Sequence, residues 1–287
     1  MRVFISGASG FLGRNLAQGF AQKGFAVTGL TRFAAKISLM TEQPKICWHT
    51  VEEIPSLIQS LVPAIFVHAA TCYGRQGESN DEVSRANFEW PKSLLSLLQE
   101  SHCLFVNIDT SLPATVNSYA DAKRRFSDYA REFAAAGGVR VLNCRLESVY
   151  GPGDDVSKFQ MLLLKALLRN EPVVPLTEGM QTRDYIYIQD AVNAILLLVQ
   201  HRLSMGCSYL TADVGTGIPT RIRDFAWAMK RIIGSSSYLD FGAIPYRKNE
   251  LMHTKADIFT LKSLGWTPET ELEEGLRLLV DSKREVI

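Results

Sequence analysis

Apolar residues in the first half of the chain fall into two alternating rhythms. Val3-Phe4-Ile5 is a continuous apolar run, the mark of a strand buried on both faces. Residues 12–23 then carry the i, i+3, i+4 spacing of a helix with one apolar stripe. Strand-like runs return at 25–30, 46–51, 65–67, 104–108 and 139–144, separated by helical segments at 54–61, 81–100 and 120–136. Strands that alternate with helices predict a parallel sheet covered on both faces, and right-handed crossovers wind it outward from its centre. The expected class is α/β, with a doubly wound parallel sheet.

After Gly151-Pro152-Gly153 the rhythm breaks. A helix is expected at 159–169, a turn bounded by Pro172 and Pro175, and a strand at 184–188, with helices at 191–200, 222–233, 256–264 and 271–283. This reads as a second, smaller, mixed α/β lobe. The predicted division is a sheet domain over residues 1–155, with 184–205 returning to it, and a substrate lobe made mostly of 156–287.

Composition removes several alternatives. At 46% hydrophobic and 21% charged, the 287 residues are too apolar for a disordered chain. Thirty-one Lys and Arg against thirty Asp and Glu leave a net charge of +1, so no global field draws in nucleic acid or an anionic membrane. The longest apolar stretch, 194–199, is far too short to span a bilayer. The N-terminus reads as a strand entering a turn and has no charged head and cleavage site. Cys47, Cys72, Cys103, Cys144 and Cys207 are odd in number and form no C-x-x-C pair, which predicts buried thiols in a reducing cytoplasm. No H-E-x-x-H occurs, and no structural metal is expected.

The first candidate chemistry lies between the first strand and the first helix. Gly7-Ala8-Ser9-Gly10-Phe11-Leu12-Gly13 has the pattern G-x-x-G-x-x-G, a variant of the Rossmann dinucleotide fingerprint. Its glycines permit a tight turn, close approach of backbone to a diphosphate and close helix–strand packing, while the helix dipole attracts the phosphates. Gly7, Ser9, Gly10, Phe11, Leu12 and Gly13 are therefore the candidate cofactor cradle. An NAD site places an acid some 20 residues later, on the ribose hydroxyls. Here the second strand ends Gly29-Leu30-Thr31-Arg32, with no acid. A guanidinium binds a 2′-phosphate that a carboxylate would repel, so Arg32, helped by Thr31, favours NADP(H) over NAD(H).

The second candidate is Tyr119-Ala120-Asp121-Ala122-Lys123, which puts a phenol and an ammonium at i and i+4 on one helix face. Upstream, the strand Phe105-Val106-Asn107-Ile108-Asp109-Thr110 ends in a hydroxyl at the rim where open α/β sheets bind ligands. A nearby ammonium favours the phenolate and brings the tyrosine toward its working range as acid or base. The Thr110 hydroxyl would hold the reacting carbonyl oxygen.

Together these motifs resemble the extended short-chain dehydrogenase/reductase family, the nucleotide-sugar epimerases, dehydratases and reductases. The likeness covers nearly the whole chain. It includes His68-Ala69-Ala70, Asn87, Arg145-Leu146-x-x-Val149-Tyr150-Gly151-Pro152-Gly153, Arg183-Asp184-Tyr185-Ile186-Tyr187-Ile188-x-Asp190, Asp213-Val214-Gly215-Thr216-Gly217, Ala256-Asp257 and Leu264-Gly265-Trp266-Thr267-Pro268. The resemblance implies that Tyr119 is the acid/base and that Lys123 lowers its pKa and bonds the nicotinamide ribose. It further implies that His68, Ala69, Ala70, Asn87 and Val149 contribute to the cofactor site. Thr71, Thr110, Ser111, Arg183 and Arg247 would serve the substrate, the arginines on the diphosphate of a nucleotide sugar. It also implies a homodimer paired through the Tyr119–Lys123 helix and the one before it; the apolar positions over 93–98 and 126–133 allow that pairing and read equally well as core. Several of these residues have a plainer reading: His68 as a packed strand end, Asn87 as a polar helix residue facing water, Arg183 paired with a carboxylate, Arg247 solvated, Trp266 as a core anchor.

Departures from the family narrow the reaction. Its 4,6-dehydratases carry Asp-Glu directly after the catalytic Thr, and here Ser111 and Leu112 stand there, so no carboxyl acid serves an elimination. A one-way 4-keto reductase consuming exchangeable NADPH and a 4-epimerase holding NAD remain, and Arg32 favours the reductase. Ala70-Thr71-Cys72-Tyr73-Gly74-Arg75 and Asp109-Thr110-Ser111-Leu112-Pro113 are similar to the CDP-abequose and CDP-paratose synthase group. That likeness implies NADPH-dependent reduction of the 4-keto group of a nucleoside-diphosphate-linked 4-keto-6-deoxy or dideoxy sugar. A non-catalytic NADP(H)-sensing scaffold stays open as a reading of another class.

Overall fold

The structure, a computed structural model, describes residues 1–38 and 45–284. Chain order in the first half is strand then helix throughout. β1 (Arg2–Ser6) leads to α1 (Phe11–Gln22), β2 (Ala26–Thr31) to α2 (Ala34–Ser38), and β3 (Ile46–Thr50) to α3 (Ile54–Ser60). β4 (Ile65–His68) leads to α4 (Asn80–Ser84) and α5 (Trp90–Leu97), joined by a π-helical turn over Arg85–Glu89. β5 (Leu104–Thr110), α6 (Ser118–Ala135) and β6 (Arg140–Leu146) complete this half. The second half runs β7 (Ser148–Tyr150), α7 (Phe159–Leu168), β8 (Val173–Leu176), β9 (Thr182–Tyr187), α8 (Ile188–Ser204) and β10 (Tyr209–Val214). It ends with β11 (Pro219–Arg221), α9 (Ile222–Ile233), β12 (Tyr238–Phe241), α10 (Phe259–Ser263) and α11 (Leu272–Arg284).

Two compact units result: Met1–Leu146 with Val192–Ala212, and Glu147–Ala191 with Asp213–Ile287. The first unit thus ends at Leu146, nine residues before the predicted 155, and the returning segment is 192–212 in place of 184–205. The reason lies in strand pairing. β9 pairs with β7 and β11 inside the second unit, so the chain re-enters the first only along α8, and β10 then takes the sheet edge beside β6.

The first unit is built on a seven-stranded sheet in the order β10-β6-β5-β4-β1-β2-β3. β1 pairs parallel with β2 on one side and β4 on the other, placing Ile5 against both Gly29 and Val67. The strand order reverses there, and the crevice beyond the carboxyl ends of β1 and β4 is where such sheets take ligands. Val3, Phe4 and Ile5 are fully buried because both faces are covered. On one face Phe4, Phe66 and Phe105 join a core with Leu94, Leu95, Phe126 and Ala130. On α1, a Cβ at Gly19 would press to 2.7 Å from Val192 of α8, so that helix lies directly against the glycine.

The second unit has its own core. Tyr185 stacks on Phe225 with ring centroids 4.1 Å apart, and Tyr150, Leu164, Met229, Leu276 and Val280 close around them. Here the sequence misleads in two places. The segment between Pro172 and Pro175 is the strand β8, not a turn: in a two-stranded ribbon with β12, Pro175 needs no ladder partner on its free side. The helix expected at 256–264 shortens to α10, because the Ala256 amide is drawn to Asp184. Among the described residues, no helix is long and apolar enough to cross a membrane, and no group of side chains is arranged to hold a metal.

Asp184 organises this unit from a fully buried position. Its carboxylate accepts from the Thr216 amide (2.8 Å) and hydroxyl (2.6 Å), the Gly217 amide (2.8 Å) and the Ala256 amide (3.1 Å). Asp184→Ala strands those donors without water, so it should destabilise the protein by about 3–5 kcal/mol in chemical denaturation.

Candidate active site

At the end of β1 the chain turns through Gly7 with φ +72°, a conformation that favours glycine. A Cβ there would come within 2.5 Å of the Ala70 nitrogen in the loop after β4, and a Cβ on Gly13 would overlap the Gly7 carbonyl. The Gly10 amide donates to the Gly7 carbonyl at 2.9 Å, and α1 opens on Gly10, Phe11 and Leu12 with no side-chain cap. The glycines thus clear a space that any side chain would fill, at the positive end of a helix and at the point of strand reversal. Those residues fit the diphosphate of a dinucleotide. Ala69 is held at the rim by its amide, which donates to Ser6 at 3.1 Å.

The rest of the predicted cofactor set divides. Arg32 is exposed just past β2, its guanidinium 5.7 Å from the centre of the Phe33 ring. Thr31 is buried, and its hydroxyl is taken by Ser9 Oγ (3.1 Å) and the Phe33 amide (3.3 Å), so it braces the cradle from below. His68 is fully buried, with Nδ1 bonded to Ser6 Oγ at 2.9 Å and its ring packed on Trp90, Phe105 and Phe126. Burial, aided by the nearby Lys123 charge, pushes its pKa well below the usual range, and it is a neutral strand-end packing residue.

Asn87 does not face water. It is fully buried in the π-helical turn, donating through Nδ2 to Cys72 O (2.7 Å) and Val83 O (2.8 Å). Its Oδ1 accepts from Thr71 Oγ1 (2.8 Å) and the Cys72 amide (3.1 Å). Both ends of the amide are saturated, so Asn87 acts by pinning the loop after β4.

The catalytic candidates meet where β5 ends and α6 begins. Asn117 caps α6 by accepting the Ala120 amide at 2.9 Å, which fixes Tyr119 in the first turn and Lys123 one turn later. Both side chains are buried. The Thr110 and Thr71 hydroxyls lie close enough to the Tyr119 phenol to act on its pKa, while Lys123 Nζ donates to the Ile108 carbonyl at 2.5 Å. Ser111 follows Thr110 with its amide on Leu146 O at 3.1 Å.

The electrostatics depart from the sequence reading. Lys123 was expected to lower the pKa of Tyr119, yet the phenol is held well above its usual range. Burial is the main cause, with Tyr73 and Asp109 adding to it and the hydroxyls of Thr110 and Thr71 opposing it. Lys123 is itself lowered to about 8 by burial, against the pull of Asp109. A phenol in this setting is a proton donor at neutral pH.

Sequence reasoning missed Tyr73 and Arg75. The Tyr73 ring lies 5.0 Å from that of Tyr119, and the Arg75 guanidinium sits 4.9 Å from the Tyr73 centroid. Only the likeness of the segment 70–75 to one reductase group pointed toward them.

In the second unit, Val149 is buried on β7, beside Ile186 of β9. Arg183 donates to Thr182 O (2.8 Å), Leu251 O (2.5 Å) and Glu250 Oε1 (2.6 Å), so the carboxylate-paired reading applies. Arg247 is exposed. Trp266 is buried, as a core anchor should be.

Comparison with known proteins is consistent with this geometry. The model of the NAD dependent epimerase/dehydratase family matches residues 3–207. A CDP-abequose synthase from Salmonella typhimurium strain LT2 is 32% identical over 291 residues, covering 97% of each chain. The UDP-glucose 4-epimerase from Thermotoga maritima superposes with a TM-score of 0.87 at 22% identity, over 100% of this chain and 99% of that one. The UDP-glucuronic acid 4-epimerase from Bacillus cereus, solved with UDP-glucuronic acid and NAD, gives 0.86 at 20% identity over 100% of each.

Gly13→Ala places a methyl group against the Gly7 carbonyl. It should weaken binding of a nicotinamide dinucleotide by about 100-fold or more, roughly 2.7 kcal/mol, in calorimetric titration.

Proposed function

The chain belongs to the NAD dependent epimerase/dehydratase family, and on that premise we propose that it reduces the 4-keto group of a nucleoside-diphosphate-linked 4-keto-6-deoxy or dideoxy sugar. The observation that carries this reading is the buried, protonated Tyr119 phenol beside the Thr110 hydroxyl. An epimerase must begin by taking a proton from a sugar hydroxyl, whereas a ketoreductase needs a proton to give. The end-to-end likeness to a CDP-abequose synthase supports the same choice and points to a CDP-linked substrate.

The cradle of Gly7, Gly10 and Gly13 would hold a reduced nicotinamide dinucleotide, which when bound would supply the hydride to the carbonyl carbon. Thr110 holds the carbonyl oxygen through its hydroxyl, at the end of β5. As that oxygen gains electron density, Tyr119 delivers its phenolic proton to it, forming the O–H bond of the product alcohol. The phenolate left behind lies on the same helix face as the Lys123 ammonium, whose charge stabilises it until a proton returns. Tyr73 and Arg75 close one side of Tyr119 and limit its contact with water. Arg32 takes the 2′-phosphate of NADP(H), and the absence of an acid after β2 removes the group that would repel it. Of the two arginines of the second unit, exposed Arg247 is the stronger candidate for the substrate diphosphate, since Arg183 already serves Thr182, Leu251 and Glu250. A homodimer in the cytoplasm belongs to the same reading.

The experiment is to follow NADPH absorbance while CDP-, dTDP-, GDP- and UDP-linked 4-keto-6-deoxy sugars are supplied in turn. Stoichiometric oxidation with the CDP sugar is expected. Retained NAD with no net oxidation would assign a 4-epimerase instead. Tyr119→Phe should lower kcat by about 10²–10⁴-fold with little change in KM. Arg32→Ala should raise KM for NADPH and leave that for NADH nearly unchanged, in steady-state kinetics.

A further inference from the structure

Beneath the catalytic residues lies a polar network that the proposed chemistry does not use. Asp109, the residue before Thr110, is buried on β5. Its carboxylate accepts from the Thr110 amide (2.8 Å), Ser127 Oγ (2.7 Å) and Asn143 Nδ2 (2.9 Å). Asn143 Oδ1 in turn accepts from Asn107 Nδ2 at 2.6 Å. Every partner of Asp109 is a donor, which is the environment of an ionised carboxylate. One residue before it, the Ile108 carbonyl holds the buried Lys123 ammonium.

A buried negative charge costs several kcal/mol unless something offsets it, and so does a buried ammonium. The titratable groups facing these two come from every neighbouring element. His68 on β4 is held neutral by burial, and Cys144 on β6 keeps its proton for the same reason. Tyr119 on α6 and Tyr209 on β10 are raised above the ordinary tyrosine range, again chiefly by burial. Tyr73 faces Tyr119 from the loop after β4, and Arg131, which approaches Tyr209, is paired with Asp128 at 3.2 Å. Arg145, which is exposed, stands opposite Asp109 on β6, and Asp109 is the counter-charge that acts on buried Lys123, with a peptide carbonyl between them.

We propose that Asp109 is a positioning residue for the reductase reading above: its buried carboxylate fixes Thr110 from behind and stands as counter-charge to the Lys123 ammonium held on the Ile108 carbonyl, through which it acts on Tyr119. The hold on Thr110 is a hydrogen bond, whereas the action on Lys123 belongs to the charge and is what distinguishes this role from packing. Two variants separate the possibilities. Ser127→Ala removes one hydrogen bond and leaves the charge in place. The exchange Asp109→Asn with Asn143→Asp preserves the hydrogen-bonded pair and the total charge while moving the carboxylate from β5 to β6, one strand further from Lys123.

The test is the titration of the Lys123 ε-carbon resonance in lysine-labelled full-length protein, assigned with Lys123→Arg and free of any substrate. The wild type should titrate near about 8. In Asp109→Asn and in the exchange variant the midpoint should fall by about one pH unit or more, as loss of a neighbouring opposite charge requires. Ser127→Ala should leave it in place. The alkaline limb of kcat/KM should move to lower pH in the same two variants. An unmoved midpoint in the folded exchange variant overturns the proposal, as does an equal fall in Ser127→Ala. Since the resonance is read without turnover, failure of the reductase reading leaves this result interpretable.

Discussion

Two backbones can meet at the carboxyl ends of β1 and β4 only where no side chain intervenes. Gly7 supplies that absence, because a Cβ there would press into Ala70. Gly13 extends it by letting α1 close on the same turn. The sheet order places this contact where the winding reverses, so the crevice is a product of topology and its chemical character a product of glycine. The loop that carries Ala69 to Arg75 leaves β4 at that contact.

The catalytic residues illustrate how tertiary structure revises local chemistry. Spacing on a helix correctly predicts that Tyr119 and Lys123 share a face, yet it suggests a phenol made more acidic by its neighbour. In the folded protein desolvation is the main influence on both groups, raising one and lowering the other. The site is thereby prepared to give a proton before it is prepared to accept one.

What the sequence reveals is what local pattern controls. The alternating strands and helices of the first half, the glycine turn and the Tyr119–Lys123 pair all rest on periodicity or short spacing, and the structure contains each of them. The short strands β7, β11 and β12 escape notice because three or four residues carry no period, and β8 is disguised by Pro175. The partners of Asn87 and Arg183 are equally hidden. Cys72 lies fifteen residues from Asn87 and Glu250 sixty-seven from Arg183, and no local rule joins them. The mistaken boundary at 155 has the same origin, since only strand pairing shows that β9 stays with β7 and β11.

Because the Asn87 amide fastens the loop after β4 at Thr71 and Cys72, that loop has a fixed stem and an editable tip. Changes between Gly74 and Glu78 leave the Asn87 bonds, the Tyr73 ring contact and the Ser79 cap of α4 in place. The tip can drift in composition while Tyr73 keeps its ring against Tyr119, so the surface of this loop and the packing of the site are separable inheritances.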